Sequence, residues 1–128
     1  MKEIQIGKKE TYTHTITEDE LASKVGSGEV DVYATPMMIA LMEKSAAALI
    51  KEDLDMNETS VGIMIHTTHQ AATPCHKTVT CQVQVIAVDR KKVTFEICAS
   101  DEKDIIGMAT HERMVVNKER FETRAKAK

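Results

Sequence analysis

Pro36-Met37-Met38-Ile39-Ala40-Leu41-Met42-Glu43-Lys44-Ser45-Ala46-Ala47-Ala48-Leu49-Ile50 is apolar nearly all round. That pattern predicts one long buried helix, because a helix with no polar face has nothing to offer water. Thr35 is read as its N-cap and Pro36 as its first helical residue, since a proline there gives up a hydrogen bond the helix start lacks anyway. The run fades in Lys51-Glu52-Asp53-Leu54-Asp55. On a 3.6-residue period Glu43 has Ile39, Ala40, Ala46, Ala47 and Ile50 as neighbours, and a carboxylate on such a stripe costs stability unless it is paired or used.

The segments on either side read as sheet. Thr11 to Ile16 is rich in β-branched and aromatic residues and predicts a first strand. Thr17-Glu18-Asp19-Glu20 has the form of a capping box and predicts a short helix over residues 18–24, ended by Gly26-Ser27-Gly28. Downstream of the long helix, residues 61–70, 78–88, 93–100 and 105–116 each predict a strand. Val79, Cys81, Val83, Val85 and Ala87 share one face of the second of these, and the tail from Lys118 reads as a charged segment that frays. The expected architecture is α+β: an antiparallel sheet of about five strands wrapped round one long helix, as a single domain over residues 1–128. An open sheet leaves an edge strand, so a homodimer that covers it is expected.

Composition removes several function classes. Net charge is −3 with both signs mixed, which offers no groove for nucleic acid and no polybasic membrane contact. Aromatic residues make up 3% of the chain, too few for base-stacking platforms. No apolar run reaches the ~18–20 residues of a membrane span. Met1-Lys2-Glu3-Ile4-Gln5 lacks a signal-peptide core, and Cys75, Cys81 and Cys98 are read as reduced thiols of a cytoplasmic protein.

Five histidines are present, and His69 stands where a strand pattern gives way to small residues and Pro74. Strict alternation puts it on one face with Val61, Ile63 and Ile65, opposite to His66. An imidazole at the end of an inward row suits a general base at a pocket mouth, and equally a hydrogen-bonded core histidine. Thr35 is either a plain cap or a hydroxyl beside the N–H groups of a helix start, where an oxyanion can be held. Glu43 is either a site carboxylate or the partner of a Lys, Arg or His from the sheet. The pair His66 and His69 with Cys75-His76 makes a poor metal set, because these spacings send side chains to opposite faces of a strand. No metal and no cofactor is expected.

Three strings, Thr35-x7-Glu43, His69-x-Ala71-Ala72-Thr73-Pro74 with Thr78-Val79-Thr80, and Gly107-x-x-Thr110-His111-Glu112-Arg113, resemble the fluoroacetyl-CoA thioesterase-like group of hot-dog-fold thioesterases. The similarity runs from about the first strand to Phe121. It implies a long helix wrapped by an antiparallel sheet, usually dimeric. It implies that Thr35, Glu43 and His69 are the catalytic threonine, glutamate and histidine, and that Gly62 and Arg113 contact substrate. The segment before Thr35 departs from the family's fluoroacetyl-specific enzyme, which carries aromatic residues over its acyl pocket. Here it reads Gly26-Ser27-Gly28-Glu29-Val30-Asp31-Val32-Tyr33, with one aromatic.

The expected reaction is hydrolysis of an acyl-CoA, or a similar thioester, to a carboxylate and a thiol. His69 would act as base on Thr35 or on water, with Glu43 stabilising the imidazolium as the acid of a Ser-His-Asp triad does; Glu43 as the base on water is the alternative. Eight residues of helix span ~12 Å, so Thr35 and Glu43 cannot touch if both are helical. Either His69 bridges them, or the helix start bends, or one residue comes from a second subunit. Other functions open to this fold are a non-catalytic acyl-binding module and an acyl-thioester hydratase.

Overall fold

A computed structural model describes residues Met1–Lys128. Strand β1 (Lys9–Thr15) is followed by a 3-10 turn at Glu18–Glu20, a short helix α1 (Ala22–Val25) and the long helix α2 (Thr35–Ile50). Then come β2 (Glu58–Thr67), β3 (Thr78–Asp89), β4 (Lys92–Ser100) and β5 (Ile105–Asn117), and a terminal helix α3 (Lys118–Lys126). The five strands form one antiparallel sheet in the order β1-β3-β4-β5-β2. The sheet curls round α2, as the sequence predicts.

Helix α2 buries Met38, Leu41, Met42, Ser45, Ala46, Leu49 and Ile50. These recur at the i, i+3, i+4, i+7 spacing of one helical face. They meet Val79, Cys81, Val83 and Val85 of β3, Val93, Phe95 and Ile97 of β4, and Ile106 and Ala109 of β5. Ala40, Lys44 and Ala48 lie on the opposite, exposed face, so the helix is covered on one side although its sequence is apolar on both.

The structure corrects four local expectations. Helix α2 begins at Thr35, with Ala34 as N-cap and no side chain capping it, which leaves the Thr35 hydroxyl for another partner. A register shift between Val85 and Ala87 turns Ala87 outward, and Val88 packs towards the core in its place. Residues 18–24 divide into a 3-10 turn and α1, although the capping box forms: the Thr17 N–H donates to the Glu20 carboxylate at 2.8 Å. The tail from Lys118 is helical, because the Asn117 side chain accepts the Arg120 N–H at 2.9 Å, an N-cap in the ordinary manner.

The two sheet edges differ. β1 carries Lys9 and Glu10, charges of the kind that keep an edge solvated. β2 has no charged residue from Thr59 to Thr67 and exposes Ile63 (49%) and Met64 (37%). No helix of the structure is long and apolar enough to cross a membrane.

Candidate active site

The strand pattern misplaces Ile63, and the reason is local. β2 carries a bulge between Gly62 and Met64, which inverts alternation from that point and leaves Ile63 facing out. The strand ends at Thr67, so His69 stands in the segment beyond it. That segment is still anchored: the Thr68 N–H donates to the Met108 carbonyl at 3.0 Å and the Gln70 N–H to Ile106 at 2.7 Å. Gly107 permits this approach, since a Cβ there would lie 2.6 Å from the Thr68 carbonyl oxygen and 2.8 Å from Met38 Sδ.

A second anchor brings the start of α2 to the same place. The Tyr33 N–H donates to the Thr73 carbonyl at 2.8 Å, and the buried Thr73 hydroxyl donates to Asp101 at 2.8 Å. Thr35 Oγ1 and His69 Nδ1 are then 2.6 Å apart. The other ring nitrogen, Nε2, is buried without a hydrogen-bond partner. Burial pushes the His69 pKa below its ordinary value of 6.5, so the ring is held neutral, the state a general base needs. Thr35 and His69 border a cleft of about 330 Å³ whose other walls include Ser27, Gly28, Val30, Val32 and Ala72.

Glu43, Gly62 and Arg113 form a second cluster. Arg113 Nη1 donates to Glu43 Oε2 at 3.4 Å, its Nε donates to Ser60 Oγ at 2.8 Å, and its Nη2 donates to the Ser60 carbonyl at 2.9 Å. The Glu43 side chain is 42% exposed and that of Arg113 only 9%. Glu43 therefore flanks the buried face of α2 rather than sitting within it. A Cβ on Gly62 would collide with Glu43 Oε2, so glycine makes room for the carboxylate. Arg113 also donates to His111 Nε2 at 3.2 Å.

Within one chain the two clusters are separate: His69 pairs with Thr35, and Glu43 pairs with Arg113. The expected Glu43–His69 contact is absent, because α2 is helical from Thr35 onward and does not bend to close the gap. No three His, Cys, Asp or Glu side chains converge on a point that would hold a metal ion. Sequence reasoning missed Ser60, and it quoted Gly107 and His111 in a family string without giving either a role. For His111 the signal was present, since residues two apart on a strand share a face and Arg113 follows at that spacing.

Comparison with known proteins agrees with the fold and supplies its family. The chain is 36% identical over 98 residues to the fluoroacetyl-CoA thioesterase of Streptantibioticus cattleyicolor, covering 77% of this chain and 70% of that one. It superposes on a structure of the fluoroacetyl-CoA thioesterase FlK with a TM-score of 0.94 at 28% identity, covering 98% of each chain. A thioesterase-superfamily member from Thermus thermophilus shares the fold, with a TM-score of 0.90 at 22% identity over 99% of this chain and 94% of that one. Fold and relatives together define a hot-dog-fold thioester hydrolase. The family profile described as FlK, fluoroacetyl-CoA-specific thioesterase, matches residues 16–119, and the chain belongs to that family.

Proposed function

We propose that this protein hydrolyses ordinary acyl-CoA thioesters through the Thr35–His69 pair. The observation that carries the reading is the 2.6 Å contact between Thr35 Oγ1 and His69 Nδ1 at the wall of a cleft. Nδ1 takes the hydroxyl proton as Oγ1 attacks the thioester carbonyl. The tetrahedral intermediate expels the CoA thiolate, which takes that proton back from the imidazolium and leaves an acyl-threonine. Water then attacks the ester, again with His69 as base, and releases the carboxylate. N–H groups at the start of α2 suit the oxyanion. CoA arrives as part of the substrate, and the scheme needs no other cofactor and no metal.

The acid of the triad is Glu43 of a second copy. Glu43 of the same chain is engaged by Arg113, and Nε2 of His69 has no partner in its own chain, which closes it off, so the ring turns to meet a carboxylate from a second copy. The β2 edge from Thr59 to Thr67, with no charged residue and with Ile63 and Met64 exposed, fits pairing with its own copy in a two-fold homodimer. Gly62 and Arg113 would then border the substrate by seating Glu43. The free thiols of Cys75, Cys81 and Cys98 fit a cytoplasmic setting.

The acyl group is not restricted to fluoroacetyl. Tyr33, the one aromatic residue on the cleft, is 1% exposed and donates its hydroxyl to the Met37 carbonyl at 3.2 Å, so its ring forms no lid. Apolar contacts separate groups of methylene size by only ~1–3 kcal/mol, and replacing hydrogen by fluorine is a smaller change. Thiol release from acetyl-, fluoroacetyl-, branched, aromatic and long-chain acyl-CoAs tests this. Turnover of several with little fluoroacyl preference is expected; a preference of orders of magnitude for fluoroacetyl-CoA overturns the selectivity claim, and no turnover of any overturns the hydrolysis claim.

A further inference from the structure

His111 lies under the Glu43–Arg113 pair and makes no contact with Thr35 or His69 that would give it a direct role. It is 1% exposed. Its ring stacks on Phe95 of β4, with centroids 5.9 Å apart and planes 28° from parallel. Both ring nitrogens are committed. Nδ1 is 2.7 Å from the Met64 carbonyl, which can only accept, so Nδ1 carries the proton. Nε2 is 3.2 Å from Arg113 Nη1, which can only donate, so Nε2 carries the lone pair.

We propose that His111 is a positioning residue: as a neutral imidazole it holds Arg113 Nη1 in the one orientation that meets Glu43, and it ties that orientation to the bulge of β2. Ser60 fixes the Nε and Nη2 edge of the guanidinium, and His111 fixes the remaining end. With one Nη1 hydrogen given to His111, the other is aimed at Glu43. Met64, whose carbonyl His111 grips, is the first paired residue beyond the bulge. A proton on Nε2 would set two N–H groups and two cations against each other in a site closed to water. Burial, together with the Arg113 charge, lowers the His111 pKa, against opposing pulls from its Met64 hydrogen bond and from the Glu43 and Glu112 carboxylates.

A histidine present only to fill the core would make every polar replacement equally harmful. Positioning of Arg113 distinguishes two amides. His111→Gln carries its carbonyl towards the Nε2 position and can accept from Arg113. His111→Asn carries its amide towards the Nδ1 position, satisfies Met64 and leaves Arg113 Nη1 free. The inference rests on Glu43 acting in the hydrolytic site, and kcat is the parameter expected to move, because Glu43 meets charge that develops during the reaction.

The experiment pairs kinetics with a substrate-free measurement. His111→Asn is expected to lose on the order of 10–100-fold in kcat with little change in KM, the size seen when partners that orient functional groups are removed. His111→Gln is expected to retain about tenfold more activity than His111→Asn, and the Asn loss should shrink in a Glu43→Gln background. In nitrogen NMR of the wild type, His111 should show its proton on Nδ1 and Arg113 should show resolved Nη signals. Equal losses in the Asn and Gln variants, an Asn loss undiminished by Glu43→Gln, or an Nε2-protonated His111 overturns the proposal. If the wild type turns over no acyl-CoA, the hydrolysis reading fails, while the NMR signals still decide the role of His111.

Discussion

Thr35 and His69, thirty-four positions apart in sequence, meet through Oγ1 and Nδ1 at 2.6 Å. Two unrelated backbone anchors produce the meeting: Tyr33 bonded to Thr73, and Thr68 and Gln70 bonded to β5. Neither side chain lies on regular strand, so a loop holds one reactive group and a helix start holds the other.

Glu43→Gln keeps the shape of the side chain and removes its charge. Because Glu43 is 42% exposed and its contact with Arg113 is long at 3.4 Å, the pair is worth at most about 1 kcal/mol of stability. Activity should fall while the melting temperature holds. Mixing Glu43→Gln with His69→Ala, each impaired by itself, should restore about a quarter of wild-type activity, the statistical share of intact sites in a two-fold dimer. A monomer in sedimentation, or no recovery in a mixture shown to exchange subunits, removes the shared site.

Gly62→Ala tests the seat of Glu43. The added Cβ collides with Glu43 Oε2, the end of a half-exposed side chain that can swing aside, and it meets Cε1 of the buried His111 at 3.3 Å, which must give by a few tenths of an ångström. Stability should fall by about 1 kcal/mol, and kcat/KM should fall by up to ~100-fold through misplacement of the carboxylate. Equal kcat/KM for variant and wild type would show that Glu43 has no fixed position to lose.

The pH profile follows from the two buried histidines. His69 and His111 both bind protons less readily folded than unfolded, because burial disfavours the imidazolium. As pH falls below ~6.5 the unfolded chain takes up protons first, so stability is full above that value and declines below it. Melting temperature measured against pH checks this; a melting temperature that does not fall below pH ~6.5 would mean that neither ring is held neutral by burial.

Much of the fold was legible because its signals are local. Pro36 and the apolar run to Ile50 mark α2, and Asp89-Arg90-Lys91-Lys92 marks the β3–β4 hairpin. For the candidate site, residue pattern alone picked out Glu43, His69 and Thr35, while their roles, with Gly62 and Arg113, came from family resemblance. Alternation places Ile63 inside, and the bulge at Gly62–Met64 puts it outside, a one-residue event with no composition signal beyond the glycine. The helix after Asn117 was hidden by its charge, since a polar helix without an apolar face reads as a tail until its cap is noticed. Glu43 read as a charge within a buried stripe, but its true neighbour, Arg113, is seventy residues away and set by the β2–β5 register.

Steady-state thiol release by the wild type and by His69→Ala, on whichever acyl-CoA the wild type turns over fastest, tests the Thr35–His69 mechanism most directly. His69→Ala should retain the wild-type fold by circular dichroism and lose roughly 10²–10⁴-fold in kcat/KM, the contribution of a general base. A folded His69→Ala that releases thiol at the wild-type rate would contradict the account.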